Sequence, residues 1–186
     1  MQIKAILFAP LVAAGLVSAA PQKSTRFEAL ALRSASPIHF AGLQAANGGL
    51  ALRLPKQNAN CGKRKGDNTA VFNLVGDELF LYRKSTPHQQ IWVDRSGMGQ
   101  GVTGYTDSKS FPRNAETKGW KVDKYGNLNF KGQSLVACPI SKEENGPWSI
   151  WVSTGNPNPG FNKGCLGFSA RTFDVKNPAS CKYTQQ

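Results

Sequence analysis

The sequence predicts an all-β fold in one compact, disulfide-stapled domain. Four cysteines follow a secretory leader, short apolar segments alternate with Gly, Asn, Asp and Pro, and no sustained helical period occurs after Arg33. About a dozen short strands separated by turn signals are typical of a closed barrel or a sandwich. We favour a β-trefoil-like barrel, with a β-sandwich as the alternative.

The N-terminus has the pattern of a signal peptide. A short start containing Lys4 precedes an apolar run at residues 6–17 and small residues near 18–19. A run of about a dozen apolar residues is too short to cross a bilayer. We expect a signal peptide at residues 1–19, an N-terminal arm at 20–36 that is loose or helical over 27–33, and a single β domain at 37–186. The tail is polar, so we expect a secreted product without a membrane anchor.

Alternation of apolar and polar residues indicates the strands. Leu50, Leu52 and Leu54 alternate with Ala51 and Arg53, as a half-buried strand requires. The same reasoning predicts strands at residues 70–75, 78–83, 90–94, 101–105, 120–123, 127–131, 134–138, 149–153 and 166–173. Gly, Asn and Asp at residues 76–77, 96–97 and 125–127 suit hairpin turns.

Three segments echo one another and favour the trefoil. Those beginning at Ile91, Trp120 and Trp148 each read as an aromatic and apolar strand, a turn and a glycine. Any sheet of hairpins can produce such an echo by chance, and the sandwich therefore stays open.

The cysteines indicate an oxidising compartment. They allow two disulfides in three connectivities and are Cys61, Cys138, Cys165 and Cys181. Zinc binding is the alternative, but the chain has no CxxC pair, and His39 and His88 are isolated. We therefore expect disulfides, and neither a metal nor another cofactor.

The chain is strongly basic. Lys and Arg number 23 against 11 Asp and Glu, and because Lys4 lies in the leader the mature chain carries a net charge of +11. Such a charge predicts attraction to acidic or phosphorylated glycans and other polyanions. The one compact cluster is Lys63-Arg64-Lys65, between two glycines. It is a solvated loop, an anion contact or a dibasic processing site.

Two tryptophans are candidate glycan contacts. Side chains alternate along a strand, so if Ile91 and Val93 face the core, Trp92 faces outward. By the same argument Trp151 lies opposite the apolar face of its strand. An exposed indole can stack on a sugar ring. The alternative is that both indoles cover a second apolar layer of the barrel.

No pattern predicts catalysis. The chain lacks GxSxG and HExxH motifs, and the adjacent acids Glu143 and Glu144 fit a solvated turn. A small basic ribonuclease would need two histidines, a glutamate and an arginine for acid–base chemistry at phosphate. The residues that could supply those groups are His39, Glu78, Arg83 and His88. Their sequence context does not resemble that enzyme family, so we expect no enzyme.

Five segments occur in one order along the chain and together resemble the fungal cell wall protein PhiA family. They are SASPIHF at residues 34–40, QQIWVD at 89–94, GYT at 104–106, LVACP at 135–139 and CLGFSA at 165–170. The resemblance implies a fungal, extracellular, wall-associated and non-catalytic protein. It also implies a part in wall or spore-cell development.

The chain departs from the family pattern near Cys61, which lacks the second nearby cysteine and the prolines expected there, whereas Cys181 lies close to the C-terminus. Because of this departure from the family pattern, we prefer the pairs Cys138–Cys165 and Cys61–Cys181. The heavy basic charge suggests, as an alternative, an effector or elicitor recognised by a host protein. The expected partner is wall polysaccharide or another polyanion, not a membrane or nucleic acid.

Overall fold

The computed structural model describes residues 24–62, 67–107, 110–143 and 145–185, and the regular secondary structure of these ranges is almost entirely β-strand. Within them one short 3-10 helix occurs, Pro159–Phe161, and no helix is long and apolar enough to cross a membrane. The strands are β1 (Ser24–Leu32), β2 (Leu43–Ala46), β3 (Gly49–Leu52), β4 (Phe72–Val75), β5 (Glu78–Leu81), β6 (Gln89–Asp94), β7 (Val102–Thr106), β8 (Ala115–Glu116), β9 (Trp120–Val122), β10 (Asn127–Phe130), β11 (Leu135–Pro139), β12 (Trp148–Val152) and β13 (Leu166–Asp174).

Eight of these strands close into an antiparallel barrel. The ring runs β12-β7-β6-β5-β4-β1-β13-β11 and returns to β12. Closure pairs every strand edge within the ring, which removes the exposed edges of an open sheet. The all-β class and the barrel are therefore confirmed, and the sandwich alternative does not describe the closed ring.

The barrel interior is filled by alternate residues of each strand, as a period of two requires. Phe27 of β1 and Phe72 of β4 are fully buried and stack with ring centroids 5.8 Å apart. The same inward row continues around the ring with Ala29, Leu79, Leu81, Ile91, Val93, Leu135, Ala137, Ile150, Val152, Phe168 and Ala170, all buried.

Two hairpins outside the ring extend the core. The β2–β3 hairpin joins β12 through Leu52 and Trp148, and the β9–β10 hairpin joins β13 through Leu128 and Ala170. Under the second hairpin Trp120 is fully buried against Phe130, with ring centroids 5.1 Å apart and edge-to-face geometry. Both hairpins therefore add apolar surface to the single core.

The predicted β-trefoil arrangement of the barrel is not confirmed. The three echoing segments correspond to β6, β9 and β12, of which β6 and β12 belong to the ring whereas β9 lies outside it. The echo is a local strand-and-turn similarity, because its three copies do not occupy equivalent positions.

The prediction that the N-terminal arm is loose or helical over 27–33 is wrong, because residues 24–32 form β1, a strand of the ring. The predicted signal peptide and residues 20–23 lie outside the described residues. β1 pairs with β4 on one side and with β13 on the other. Phe27, Ala29 and Ala31 point inward and are fully buried. Leu30 and Leu32 on the opposite face obscure the alternation, and Ala, Leu, Arg and Glu favour helix by propensity. Pairing on both edges overrides that propensity.

Two disulfides staple the fold, and they are the two pairs preferred above. Cys61–Cys181 spans 120 residues and ties the C-terminal segment to the loop after β3. Cys138–Cys165 spans 27 residues and joins β11 to the residue before β13. Among the described residues no free cysteine remains. Each bridge thus ties a residue outside the strands to another part of the fold.

Candidate binding surface

Trp92 lies on the outer face of the barrel. Ile91 and Val93 are fully buried in the interior, so the residue between them points outward, as parity along β6 predicts. Its indole is half-buried and lies over Gly104, its register partner on β7. A Cβ at position 104 would lie 2.3 Å from Cζ2 of Trp92. Glycine therefore allows the ring to lie flat against the sheet.

Trp151 has the equivalent orientation on β12. Ile150 and Val152 are buried inside, and the indole between them is half-buried on the outside. Its Nε1 donates a hydrogen bond to Oγ of Ser149 at 2.9 Å. The loop after β12 approaches one ring edge, where a Cβ at Gly160 would lie 2.6 Å from Cη2. The indole of Trp151 is thus fixed by one hydrogen bond and by one closely approaching backbone segment.

The sheet register brings the two indoles onto one surface. On β7, Gly104 pairs with Trp92 and Val102 pairs with Trp151, while Val136 of β11 flanks Trp151 on its other side. We call these five residues the tryptophan face. Two strand spacings of about 4.8 Å and a two-residue offset along β7 of about 7 Å place the backbones of the two tryptophans about 12 Å apart. Two half-buried indoles at that spacing can stack on two separate sugar rings of one polysaccharide chain.

The other predicted contacts lie outside the described residues. Lys63, Arg64 and Lys65 belong to the range 63–66, between Gly62 and Asp67. Their role as polyanion contacts therefore stays a prediction.

A polar cleft near one end of β6 was missed from the sequence. It encloses about 760 Å³ and is lined by Arg95, Asn114, Glu116 and Gln133, among others. The Arg95 guanidinium bonds both carboxylate oxygens of Glu116, at 2.8 and 3.0 Å, and Lys131 bonds the same carboxylate. Hydrogen bonding by Arg95, with a further bond from Lys131, lowers the pKa of Glu116 to about 2. No local pattern joins residues 21 positions apart, so only the fold reveals this ion pair.

The four candidate ribonuclease residues are not assembled into one site. His39 lines a cavity beside Arg53, whereas Arg83 and His88 line a different cavity beside β5. Glu78 accepts a hydrogen bond from Gln90 at 2.9 Å. Acid–base transfer at phosphate needs its groups around one substrate atom, and this distribution does not provide that. Among the described residues, no group of three or more His, Cys, Asp and Glu is placed to hold a metal.

The sequence model of PhiA-like secreted proteins matches residues 27–184, from β1 to the C-terminal segment beyond β13. The chain belongs to this family. The resemblance drawn from the five short segments is therefore confirmed, and the match covers all of the barrel except the first three residues of β1, together with both disulfides. Membership makes this PhiA-like chain a secreted protein.

Curated relatives are similar to this PhiA-like protein over nine tenths or more of their length. The cell wall protein phiA of Aspergillus niger is 42% identical over 185 residues, covering 99% of both chains. The cell wall protein phiA of Aspergillus fumigatus is 43% identical over 188 residues, covering 100% of both. That of Emericella nidulans is 44% identical over 169 residues, covering 90% of this chain and 91% of the relative. No solved structure matches the chain.

The names of these relatives agree with the location expected from the sequence. They describe cell wall proteins and name no enzymatic activity. A secreted, fungal, disulfide-bonded protein of the cell wall class is therefore confirmed for this PhiA-like chain.

Proposed function

We propose that this protein is a non-catalytic component of the fungal cell wall that binds wall polysaccharide noncovalently through the tryptophan face. The single observation that carries the proposal is the placement of Trp92 and Trp151, both half-buried, on one outer surface. An indole that keeps part of its ring at the surface can stack on the apolar face of a sugar. Dispersed basic side chains add attraction to acidic wall polymers.

Cosedimentation with insoluble polysaccharide tests the proposal. Purified protein is incubated with washed fungal walls, with chitin and with insoluble β-glucan, and the pelleted fraction is measured. We expect Trp92→Ala and Trp151→Ala each to weaken binding about two- to tenfold, the effect of losing one aromatic contact. The control is Tyr125→Ala, which removes an exposed aromatic ring from the β9–β10 turn.

Two results would overturn the proposal. The first is a wild-type protein that never pellets with walls or purified glycans. The second is a pair of folded tryptophan variants that pellet as the wild type does. Circular dichroism and thermal unfolding establish that each variant is folded before its binding is compared.

We infer that the protein also supports wall or spore-cell development, since a wall-bound component contributes where new wall is assembled. A deletion strain with abnormal spore-bearing cells, restored by the wild-type chain but not by the double tryptophan variant, is the expected result. The net charge favours a second candidate, an effector recognised by a host. Normal spores and walls with altered infection in the deletion strain would favour that candidate instead.

A further inference from the structure

A second groove shares no residue with the tryptophan face. It encloses about 430 Å³ between the β1–β2 connection, the residues that follow β3, Asn68 and Asn145. The residues that matter for its chemistry are His39, Phe40, Gln44, Arg53, Asn68 and Asn145. We call it the Phe40 groove.

Two of these residues hold an unfavourable backbone conformation. Phe40 has φ of 61° and Arg53 has φ of 60°, in the left-handed region that disfavours residues with a Cβ. The ring of Phe40 is nevertheless 65% exposed, so burial of the side chain does not compensate. Strained, exposed residues concentrate at ligand-binding sites, where the surrounding structure holds them in place.

The surrounding structure does hold them. The Phe40 N–H donates to the carbonyl of Ala31 at 2.8 Å, which anchors the exposed residue to β1. The Gln44 side chain donates to the Leu54 carbonyl at 3.0 Å and accepts from the Leu54 N–H at 2.7 Å. The Asn68 amide also donates to the Leu54 carbonyl, at 2.9 Å. The walls of the groove are therefore fixed before any ligand arrives.

The floor presents an aromatic surface and a hydrogen-bond donor. The rings of His39 and Phe40 have centroids 4.0 Å apart and are inclined by 35°. Nδ1 of His39 accepts a hydrogen bond from the Arg33 N–H at 3.2 Å, so the neutral imidazole carries its proton on Nε2. A flat ring beside an N–H group suits the apolar face and hydroxyl edge of a sugar.

The groove is positively charged and has no acidic residue among its described lining residues. Arg53 donates to the Pro37 carbonyl, and to Oδ1 of Asn145 at 2.8 Å. Within the described part of the chain both ion pairs involve Glu116, and neither involves Arg53. A guanidinium whose hydrogen-bond acceptors are neutral keeps its full positive charge. Its remaining N–H groups can donate to an anion.

We propose that the Phe40 groove binds an anionic sugar unit, with the sugar ring on Phe40 and its carboxylate or phosphate on Arg53. A uronate and a sugar phosphate share this chemistry. This proposal is independent of the tryptophan face, which binds neutral polysaccharide through its indoles.

Calorimetric titration at physiological ionic strength tests the proposal. The anionic probes are tetragalacturonate and mannose 6-phosphate, and their matched neutral probes are the methyl-esterified tetramer and mannose. Inorganic phosphate shows whether the sugar ring contributes. We expect one or both anionic sugars to bind at least about tenfold more tightly than the neutral partner and than phosphate alone, because hydrogen bonds to charged groups are the stronger ones. The better of the two identifies the source of the anion.

Phe40→Gly separates binding from folding. Glycine tolerates φ of 61°, so the variant should melt at or slightly above the wild-type temperature and yet lose at least about tenfold in affinity. The matched control is Phe161→Gly, since Phe161 also has φ of 61° and is 91% exposed but lies outside the groove. This control should bind as the wild type does. Arg53→Asn, which also tolerates positive φ, should remove the preference for anionic over neutral probes.

The proposal is overturned if anionic and neutral probes bind alike, if phosphate alone binds as well as the sugars, or if Phe40→Gly keeps wild-type affinity. The double Trp92→Ala, Trp151→Ala variant should bind the soluble anionic sugars normally. Its behaviour therefore distinguishes failure of this site from failure of the tryptophan face.

Discussion

Gln89, the first residue of β6, and Tyr183 of the C-terminal segment form two hydrogen bonds with each other. The Gln89 side-chain amide donates to the Tyr183 carbonyl at 2.8 Å and accepts from the Tyr183 N–H at 2.8 Å. Gln89 is fully buried at the start of β6, and Tyr183 is 1% exposed. One side chain thus replaces the backbone partner that a neighbouring strand would supply, and it fixes the C-terminal segment against the ring.

Replacing Gln89 by leucine should markedly destabilise the protein. The change leaves a buried N–H and a buried C=O of Tyr183 without partners, and because each orphaned group costs about 1–3 kcal/mol, we expect a loss of at least about 2 kcal/mol. Urea denaturation measures it. Gln90→Leu is the matched control, because its amide points outward and bonds only Glu78 among the described residues. Equal stability of the two variants would contradict this role.

The two disulfides should contribute unequally. Loop-closure entropy predicts about 5 kcal/mol for the 120-residue separation of Cys61–Cys181 and about 3.5 kcal/mol for the 27-residue separation of Cys138–Cys165. We therefore expect the double serine variant of the first pair to unfold at lower denaturant than that of the second. The reverse order would show that the C-terminal segment is held mainly by its hydrogen bonds.

Stability should fall between about pH 4.5 and pH 2 through Glu116. Its hydrogen bond with Arg95 lowers the pKa from the ordinary 4.5 to about 2 in the folded chain. The unfolded chain therefore binds this proton first on acidification, and stability present above pH 4.5 is lost as pH falls through the folded pKa. Glu116→Gln should flatten this part of the profile of melting temperature against pH.

Glu143→Gln, on an exposed loop, is the control for Glu116 and should keep the wild-type pH profile. An unchanged slope in Glu116→Gln would show that other carboxylates carry the acid sensitivity.

Gly104→Ala should displace the indole of Trp92. The new methyl would lie 2.3 Å from Cζ2 and 2.6 Å from Cε2, both atoms of a rigid ring. We expect Trp92 to lift from the sheet, which shifts fluorescence emission to longer wavelength and increases quenching by acrylamide. Overpacking costs about 1–3 kcal/mol, so stability should fall as well. Gly97→Ala, whose Cβ would meet no atom within 4 Å, should change neither quantity.

Features set by local alternation could be predicted from the sequence. The outward orientation of Trp92 and Trp151 follows from parity along one strand, and nine predicted strands correspond to β4–β7 and β9–β13. β1 was missed because Leu30 and Leu32 hide its alternation. The partnership that makes it a strand, with β4 and β13, depends on residues far along the chain.

The groove around Phe40 could not be predicted. The left-handed backbone of Phe40 depends on a hydrogen bond to Ala31, and that of Arg53 accompanies bonds to Pro37 and Asn145. These contacts exist only after the strands have paired. The one available signal was that His39 and Phe40 end the first of the five family segments.

Closure of the barrel joins the two ends of the chain. β1 is the first described strand and β13 the last, and they pair from Phe27 with Asp174 to Leu32 with Ser169. A growing chain therefore cannot complete the ring until nearly all of it has been synthesised and released. Contacts this distant in sequence slow folding, and the earlier strands keep unpaired edges until β13 is available. For a secreted protein, the ring thus closes only once the last strand has entered the secretory compartment, where both disulfides can then form.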